Sequence, residues 1–374
     1  MFKFEITHKS KISNARVGKI YTPHGVIETP NFVPVGTNAC IKGIDGNMAT
    51  QIGVQLMFAN TYHLMVHPGA DIIEQAGGIH KFSNHKMPII TDSGGFQVFS
   101  LKYGGYTAEI KSNGKKISQG SVIKITEDGV KFRSYKDGSE IFLSPESSIQ
   151  AQKKIGADLI VAFDELPPYN FERKKLMYSL HRTHRWEERS ILEHLKNPQQ
   201  QQMYAVVHGG VDKELRGLSI DLLSKLPFFG FGIGGSVGKD KAEMNEMLSF
   251  VVPRLPEDKP NHLLGIADLT SLATCVPLGI DTFDSAYPSK CARHGLLFNH
   301  TGHVRVLKAK NAAVFTPIDS TCNCYTCSNY TVSYLHHLFR AHELTAYALA
   351  TTHNIHYMLN KMKQYRELIL QDLV

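Results

Sequence analysis

Five short apolar runs in this 374-residue chain stop at residues able to do chemistry or to expose backbone donors. Pro88–Thr91 is followed by Asp92-Ser93-Gly94-Gly95, and Asp158–Phe163 by Asp164-Glu165. Tyr204–Val207 leads to His208-Gly209-Gly210, Phe229–Ile233 to Gly234-Gly235-Ser236, and Asp281–Phe283 to Asp284. One aspartate after a strand is usually a turn or helix-cap residue. Several acids that converge on one pocket point instead to covalent or acid–base chemistry at an acetal carbon, as in glycosidases. A carboxylate also matches the N1–H and N2–H donors of a guanine edge, while a backbone N–H or an imidazole can donate to its O6. The glycines let a ligand approach the main chain closely.

A second constellation is metal-like. Cys322-x-Cys324-x-x-Cys327 puts three thiols into six residues, with His336, His337, His342, His353 and His356 downstream. Three thiolates and one imidazole fill a tetrahedral zinc shell, and such a closed site is structural rather than catalytic. A metal-dependent barrel hydrolase needs an open metal at its mouth, which a thiolate-rich closed set does not provide. Cys40, Cys275 and Cys291 read as small buried hydrophobes.

The elements that must position these residues alternate. Strand-like runs occur at Phe32–Val35, Val54–Ala59, Pro88–Thr91, Asp158–Phe163, Tyr204–Val207, Phe229–Ile233, His262–Ile266 and Asp281–Phe283. Amphipathic helices are predicted at Ser144–Gly156, Leu176–Leu195, Asp212–Leu226, Lys241–Leu255 and Ala267–Val276. This alternation predicts parallel βαβ units, and eight strands favour a closed (β/α)₈ TIM barrel whose C-terminal mouth gathers the polar residues above. Residues 2–30 read as an N-terminal β segment. Asn113-Gly114, Asp128-Gly129 and Asp137-Gly138 mark hairpin turns within an antiparallel β insertion over about 105–143. The organisation expected is one barrel domain over 1–374, with that insertion and a zinc-binding subdomain near 311–360. Lys and Arg number 41 against 34 Asp and Glu, a surplus of +7 that suits a polyanionic partner such as nucleic acid. No run of about 18 apolar residues and no secretory signal is visible, so a cytoplasmic protein is expected.

In order along the chain, TDSGGFQVFSL (91–101), AFDE (162–165), GIDTFDSAYPSK (279–290), CNCYTC (322–327) and SYLHHLFRAHEL (333–344) followed by HN (353–354) resemble bacterial-type tRNA-guanine transglycosylases. The resemblance covers nearly the whole sequence. It implies exchange of the anticodon wobble guanine of tRNA for a 7-deazaguanine base, on the route to queuosine. It also implies a barrel with a zinc subdomain and a homodimer. Under it, Asp284 is the nucleophile that holds the ribose covalently, and Asp92 the general acid/base. Ser93, Asp164, His208 and Gly235 fall in the base pocket, where Asp164 grips the base edge. Phe96 and Leu264 sandwich the ring, and Lys290 and Arg293 lie near the RNA. Cys322, Cys324, Cys327 and His353 fall on the zinc ligands.

The chain departs from the family pattern around the base. His208 stands where a glutamine is expected, Leu166 where a cysteine is usual, and Gly234–Lys239 is one residue shorter and lacks a glutamate. Lys290 replaces a common arginine and His294 a usual asparagine. The first three changes cluster on the pocket for the incoming base. The expectation is that the preferred base is not the aminomethyl-deazaguanine usual in bacteria but the larger queuine.

Overall fold

A computed structural model describes residues 1–96 and 122–374. Three antiparallel strands open the chain: β1 (Lys3–Lys9), β2 (Arg16–Thr22) and β3 (Gly25–Thr29). The barrel begins with β4 (Asn31–Pro34), α1 (Gly46–Gln51), β5 (Met57–Ala59), α2 (Thr61–Val66), α3 (Ala70–Gln75), α4 (Ile79–Ser83) and β6 (Ile89–Thr91). A separate antiparallel sheet follows, β7 (Val122–Ile125), β8 (Val130–Arg133) and β9 (Glu140–Leu143). It bears out the insertion expected from the Asp128-Gly129 and Asp137-Gly138 turns; Asn113-Gly114 lies outside the described residues. The barrel resumes with α5 (Pro145–Ile155), β10 (Leu159–Val161), α6 (Arg173–Leu195), β11 (Gln202–Val207), α7 (Lys213–Leu223) and β12 (Gly230–Ile233). It ends with α8 (Lys241–Val251), β13 (Asn261–Leu263), α9 (Leu269–Cys275), β14 (Thr282–Ser285) and α10 (Tyr287–Arg293).

All eight expected strands pair in parallel, in the order β4-β14-β13-β12-β11-β10-β6-β5. A parallel bridge between Val35 and Phe58 spans the remaining seam, so the sheet closes into the expected barrel. Its strands are buried along nearly their whole length because helices cover the outside and side chains fill the inside. The helices start where the sequence supplies caps. Ser144 makes a reciprocal capping box with Ser147 ahead of Pro145, and Asp212, Asp240 and Asp268 each accept a main-chain N–H in the following turn.

The first sheet stoppers the N-terminal end of the barrel. Ile20 and Ile27 pack with the interior residues Leu56, Ile90, Leu159 and Val206. Arg16 is clamped on Asp281 just below β14, Nη2 to Oδ2 at 2.6 Å. Below β10, Asp158 is fully buried and takes His24 Nδ1 at 2.7 Å and His80 Nε2 at 3.1 Å, the two imidazoles stacking 3.5 Å apart. This end is therefore built for cohesion, which leaves the opposite mouth for chemistry.

After β15 (Leu296–Asn299), β16 (Gly302–Arg305), α11 (Tyr325–Asn329) and α12 (Val332–Arg340), the chain ends in the long α13 (Leu344–Leu370). That helix runs back to the start of the barrel, where Arg366 donates to the Pro30 carbonyl and pairs with Glu28. Among the described residues no helix is long and apolar enough to cross a membrane.

Candidate active site and thiolate cluster

Asp92, Asp164, His208, Gly235, Leu264 and Asp284 all stand at the C-terminal ends of barrel strands, as the sequence predicts. Asp284 was expected just after its strand; it lies inside β14, in register with Val33 of β4. Its Oδ1 accepts the Gly265 N–H at 2.7 Å and contacts His262 Nε2 at 2.9 Å. The carboxylate is thus held on one oxygen, by two groups from the neighbouring β13 and its loop. Asp92 follows β6, with Oδ2 accepting from Asn60 Nδ2 at 2.7 Å and Oδ1 from the Thr61 N–H at 2.8 Å. Main-chain and amide donors of this kind favour the charged carboxylate.

Asp164 is gripped from two sides, by Ser93 Oγ on Oδ1 at 3.1 Å and by His208 Nε2 on Oδ2 at 2.7 Å. His208 is buried, and its Nδ1 has no hydrogen-bond partner among the described residues. Gly235 explains why that ring fits. Its φ is +73°, and a Cβ there would come within 2.8 Å of His208 Nδ1, so only glycine leaves room. Leu264 leans over the glycines of β12, its Cδ1 being 3.2 Å from where a Cβ on Gly232 would stand. Phe96 is half exposed on the same side of the sheet, at the edge of the described residues. Leu166 is partly buried and packs against the cluster that holds Phe163 and Trp186. Lys290 and Arg293 ride on α10 directly after the Asp284 strand. Lys290 and His294 are exposed, whereas Arg293 is half-buried.

Two buried residues that organise this mouth were not singled out from sequence. The Arg216 guanidinium, fully buried on α7, donates to the carbonyls of Val207, Gly210, Gly234 and Ser236 at 2.6–3.1 Å. It staples the turn after β11 to the turn after β12. Burial pulls its pKa down to about 9, while the four carbonyls replace the water that the cation has lost. Glu187, fully buried on α6, accepts the Val206 N–H, and burial pushes its pKa well up. An arginine or a glutamate on an amphipathic helix reads as surface charge, and only the helix register against the barrel turns it inward.

A cleft of about 670 Å³ opens beside these turns, lined among others by Tyr169, Arg173, Gly210, Asp212, Ser236 and Glu243. Asp92, Asp164 and Asp284 are not part of its lining. It adjoins the turns that follow His208 and Gly235 rather than the carboxylates themselves.

The cysteine motif folds as its spacing suggests. Cys322, Cys324 and Cys327 Sγ lie 3.8, 3.4 and 3.3 Å from His353 Nδ1, which makes His353 the fourth member. His353 Nε2 donates to the Phe298 carbonyl at 2.6 Å, leaving the Nδ1 lone pair aimed at the sulfurs. Hydrogen bonds from Cys322 and Cys327 hold the Cys324 thiol below its ordinary range, as suits a thiolate ligand. A compact Cys₃His set with an oriented imidazole fits a structural zinc ion.

Residues 10–374 match the family model described as queuine tRNA-ribosyltransferase. A protein of that description from Protochlamydia amoebophila is 58% identical over 373 residues, covering 100% of this chain and 96% of its own. Another from Chlamydia caviae is 49% identical over 371 residues, covering 99% of both.

Proposed function

Because the chain belongs to the queuine tRNA-ribosyltransferase family, we propose that it exchanges the wobble guanine of a tRNA anticodon for a 7-deazaguanine base, through an aspartyl-ribosyl intermediate on Asp284. The observation that carries this reading is the paired arrangement at the mouth. One carboxylate, Asp284, is fixed on a single oxygen by Gly265 and His262, and a second, Asp164, is fixed by Ser93 and His208. The first suits attack on C1′ and the second suits recognition of a purine edge.

Asp284 Oδ2 attacks C1′, the C1′–N9 bond breaks, and its electron pair leaves on guanine, which takes a proton from solvent and departs. Asp92 takes the N9 proton of the incoming base, whose nitrogen then displaces the carboxylate from C1′, and Asp92 passes that proton to solvent to close the cycle. Ser93, Asp164, His208 and Gly235 hold the base edge, Phe96 and Leu264 stack on its ring, and Lys290 and Arg293 meet the RNA backbone. Zinc on Cys322, Cys324, Cys327 and His353 supplies folding energy to the C-terminal region, remote from the exchange.

Three finer points belong to the same proposal. The preferred base is queuine, and its large 7-substituent enters the cleft beside Gly210 and Ser236. The enzyme works in the cytoplasm as a homodimer. A chain of aromatic contacts across α11 and α12, with Tyr325 edge-on to the half-buried Tyr330 and the exposed Tyr334 stacked between Tyr330 and His337, supports the dimer, since aromatics at a surface are typical anchors of an interface.

A trapping assay tests the central claim. Wild type is incubated with an anticodon stem-loop RNA and a deazaguanine, then denatured and run beside Asp284→Asn. A protein–RNA adduct in wild type alone is expected. RNA binding with neither adduct nor base exchange, for queuine or for the aminomethyl base, would overturn the reading. Exchange rates with the two bases compared directly test the preference, and faster exchange of the aminomethyl base would remove the queuine assignment.

A further inference from the structure

His262 occupies an unusual place: it is buried inside the barrel on β13, and both of its ring nitrogens are engaged. Nδ1 lies 2.8 Å from Thr282 Oγ1, and Nε2 lies 2.9 Å from Asp284 Oδ1. Asp284 Oδ1 already accepts the Gly265 N–H, and an ionised carboxylate has no hydrogen to give, so His262 Nε2 is the donor in that contact. Thr282 Oγ1, which also lies 3.2 Å from the Asn261 carbonyl, meets Nδ1 and holds the ring in place.

We infer that His262 is a positioning residue for the nucleophile: its Nε2–H fixes Asp284 Oδ1, aims Oδ2 at the sugar, and stabilises the carboxylate when it leaves. This rests on the covalent exchange proposed above.

The consequence differs between the two half-reactions. On formation of the intermediate, Oδ2 bonds to C1′ and the C1′–N9 bond breaks, so Oδ1 becomes an ester carbonyl and loses most of its charge. On resolution, the new base bonds to C1′, the C1′–Oδ2 bond breaks, and the electron pair returns to the carboxylate. A donor held against Oδ1 favours that return, because charge develops there in the transition state. Removing it slows release of the RNA more than it slows capture. The groups facing His262 among the described residues are Asp284 and Thr282 on β14, Gly232 in register on β12, and the Phe58 ring of β5 at 5.9 Å. Asp284 is the titratable one of these.

The test uses the full zinc-loaded chain in single turnover. The adduct is formed with stem-loop RNA and then chased with excess deazaguanine, and capture and release of the RNA are timed separately. His262→Phe is expected to form adduct yet release RNA at least tenfold more slowly, so that trapped adduct accumulates above the wild-type level. His262→Gln can still donate to Oδ1, so it should recover part of the release rate. Zinc content and circular dichroism, recorded for each variant, separate misfolding from the kinetic effect. A release rate that matches wild type in folded His262→Phe would overturn the inference while leaving the exchange reading intact, as would a His262→Gln variant no faster than His262→Phe. If His262→Phe fails to fold, His262→Leu replaces it, and the same result overturns the inference. Absence of adduct in wild type would instead strike the proposed function itself.

Discussion

Replacing Arg216 by methionine keeps most of the side-chain volume and removes every donor. Four main-chain carbonyls from two turns then lose their partner at once: Val207, Gly210, Gly234 and Ser236. Hydrogen bonds to a charged group contribute about 1.5–3 kcal/mol each. Part of that sum is returned because a buried cation no longer has to be desolvated, and water can reach a loosened turn. A net loss of about 3–4 kcal/mol in unfolding free energy is expected, at the upper end for a single substitution. Urea titration measures it, with the slope checked for constancy so that the midpoint shift can be read as stability.

The same turns carry His208 and Gly235, so base binding should suffer beyond the stability loss. At a temperature where the variant is fully folded, KM for the incoming base should rise about tenfold or more, equivalent to about 1.4 kcal/mol. Arg216→Lys retains charge but presents a single ammonium, which cannot reach four carbonyls spread over two turns, and should fall between. A methionine variant within about 1 kcal/mol of wild type and with unchanged KM would refute the view that Arg216 staples the pocket.

Further outcomes are expected. Gly235→Ala places a Cβ within 2.8 Å of His208 Nδ1 at a φ of +73°, so it should cost about 1–2 kcal/mol of stability and lower base exchange at least tenfold. Cys327→Ser should bring zinc below one ion per chain by metal analysis and lower the melting temperature, while circular dichroism retains the barrel's signature. Burial raises the Asp158 pKa, but bonds from His80, His24 and the Ile89 N–H outweigh it and leave it below the ordinary 3.8. The folded state therefore gains stability from this carboxylate above its unfolded pKa and loses it as pH falls through the lower folded value. Urea midpoints should accordingly fall more steeply on acidification in wild type than in Asp158→Asn. Tyr334→Ala should shift the protein toward monomer in sedimentation velocity; an unchanged mass would remove this aromatic cluster as the dimer contact.

The barrel was legible because its strands are buried on both faces. Such strands read as continuous apolar runs, and most are punctuated by glycine or an acid where they leave the sheet. The cysteine motif was legible because metal geometry dictates short spacing, whereas its histidine was one of several until the family resemblance selected it. Strand ends were less exact: Val54 and Leu56 precede β5, and Asp284 sits within β14 rather than beyond it. His262, Arg216 and Glu187 escaped notice for a common physical reason. A buried polar side chain is defined by partners that arrive from other strands, and Thr282, Gly234 and Val206 are brought to them only when the sheet closes. Local pattern holds no trace of those meetings.

The seam between β4 and β14 sets an order on the birth of the enzyme. Asn31–Pro34 pairs along its whole length with Thr282–Ser285, so a chain leaving the ribosome carries that barrel edge unpaired through most of its synthesis. The strand that closes this edge is the one bearing Asp284, and α13 then clips its Arg366 onto Pro30 and Glu28 just ahead of β4. A nascent or prematurely terminated chain therefore has no assembled nucleophile, and a half-made copy cannot capture RNA. Sticky intermediates at this stage are a hazard for chaperones rather than for tRNA.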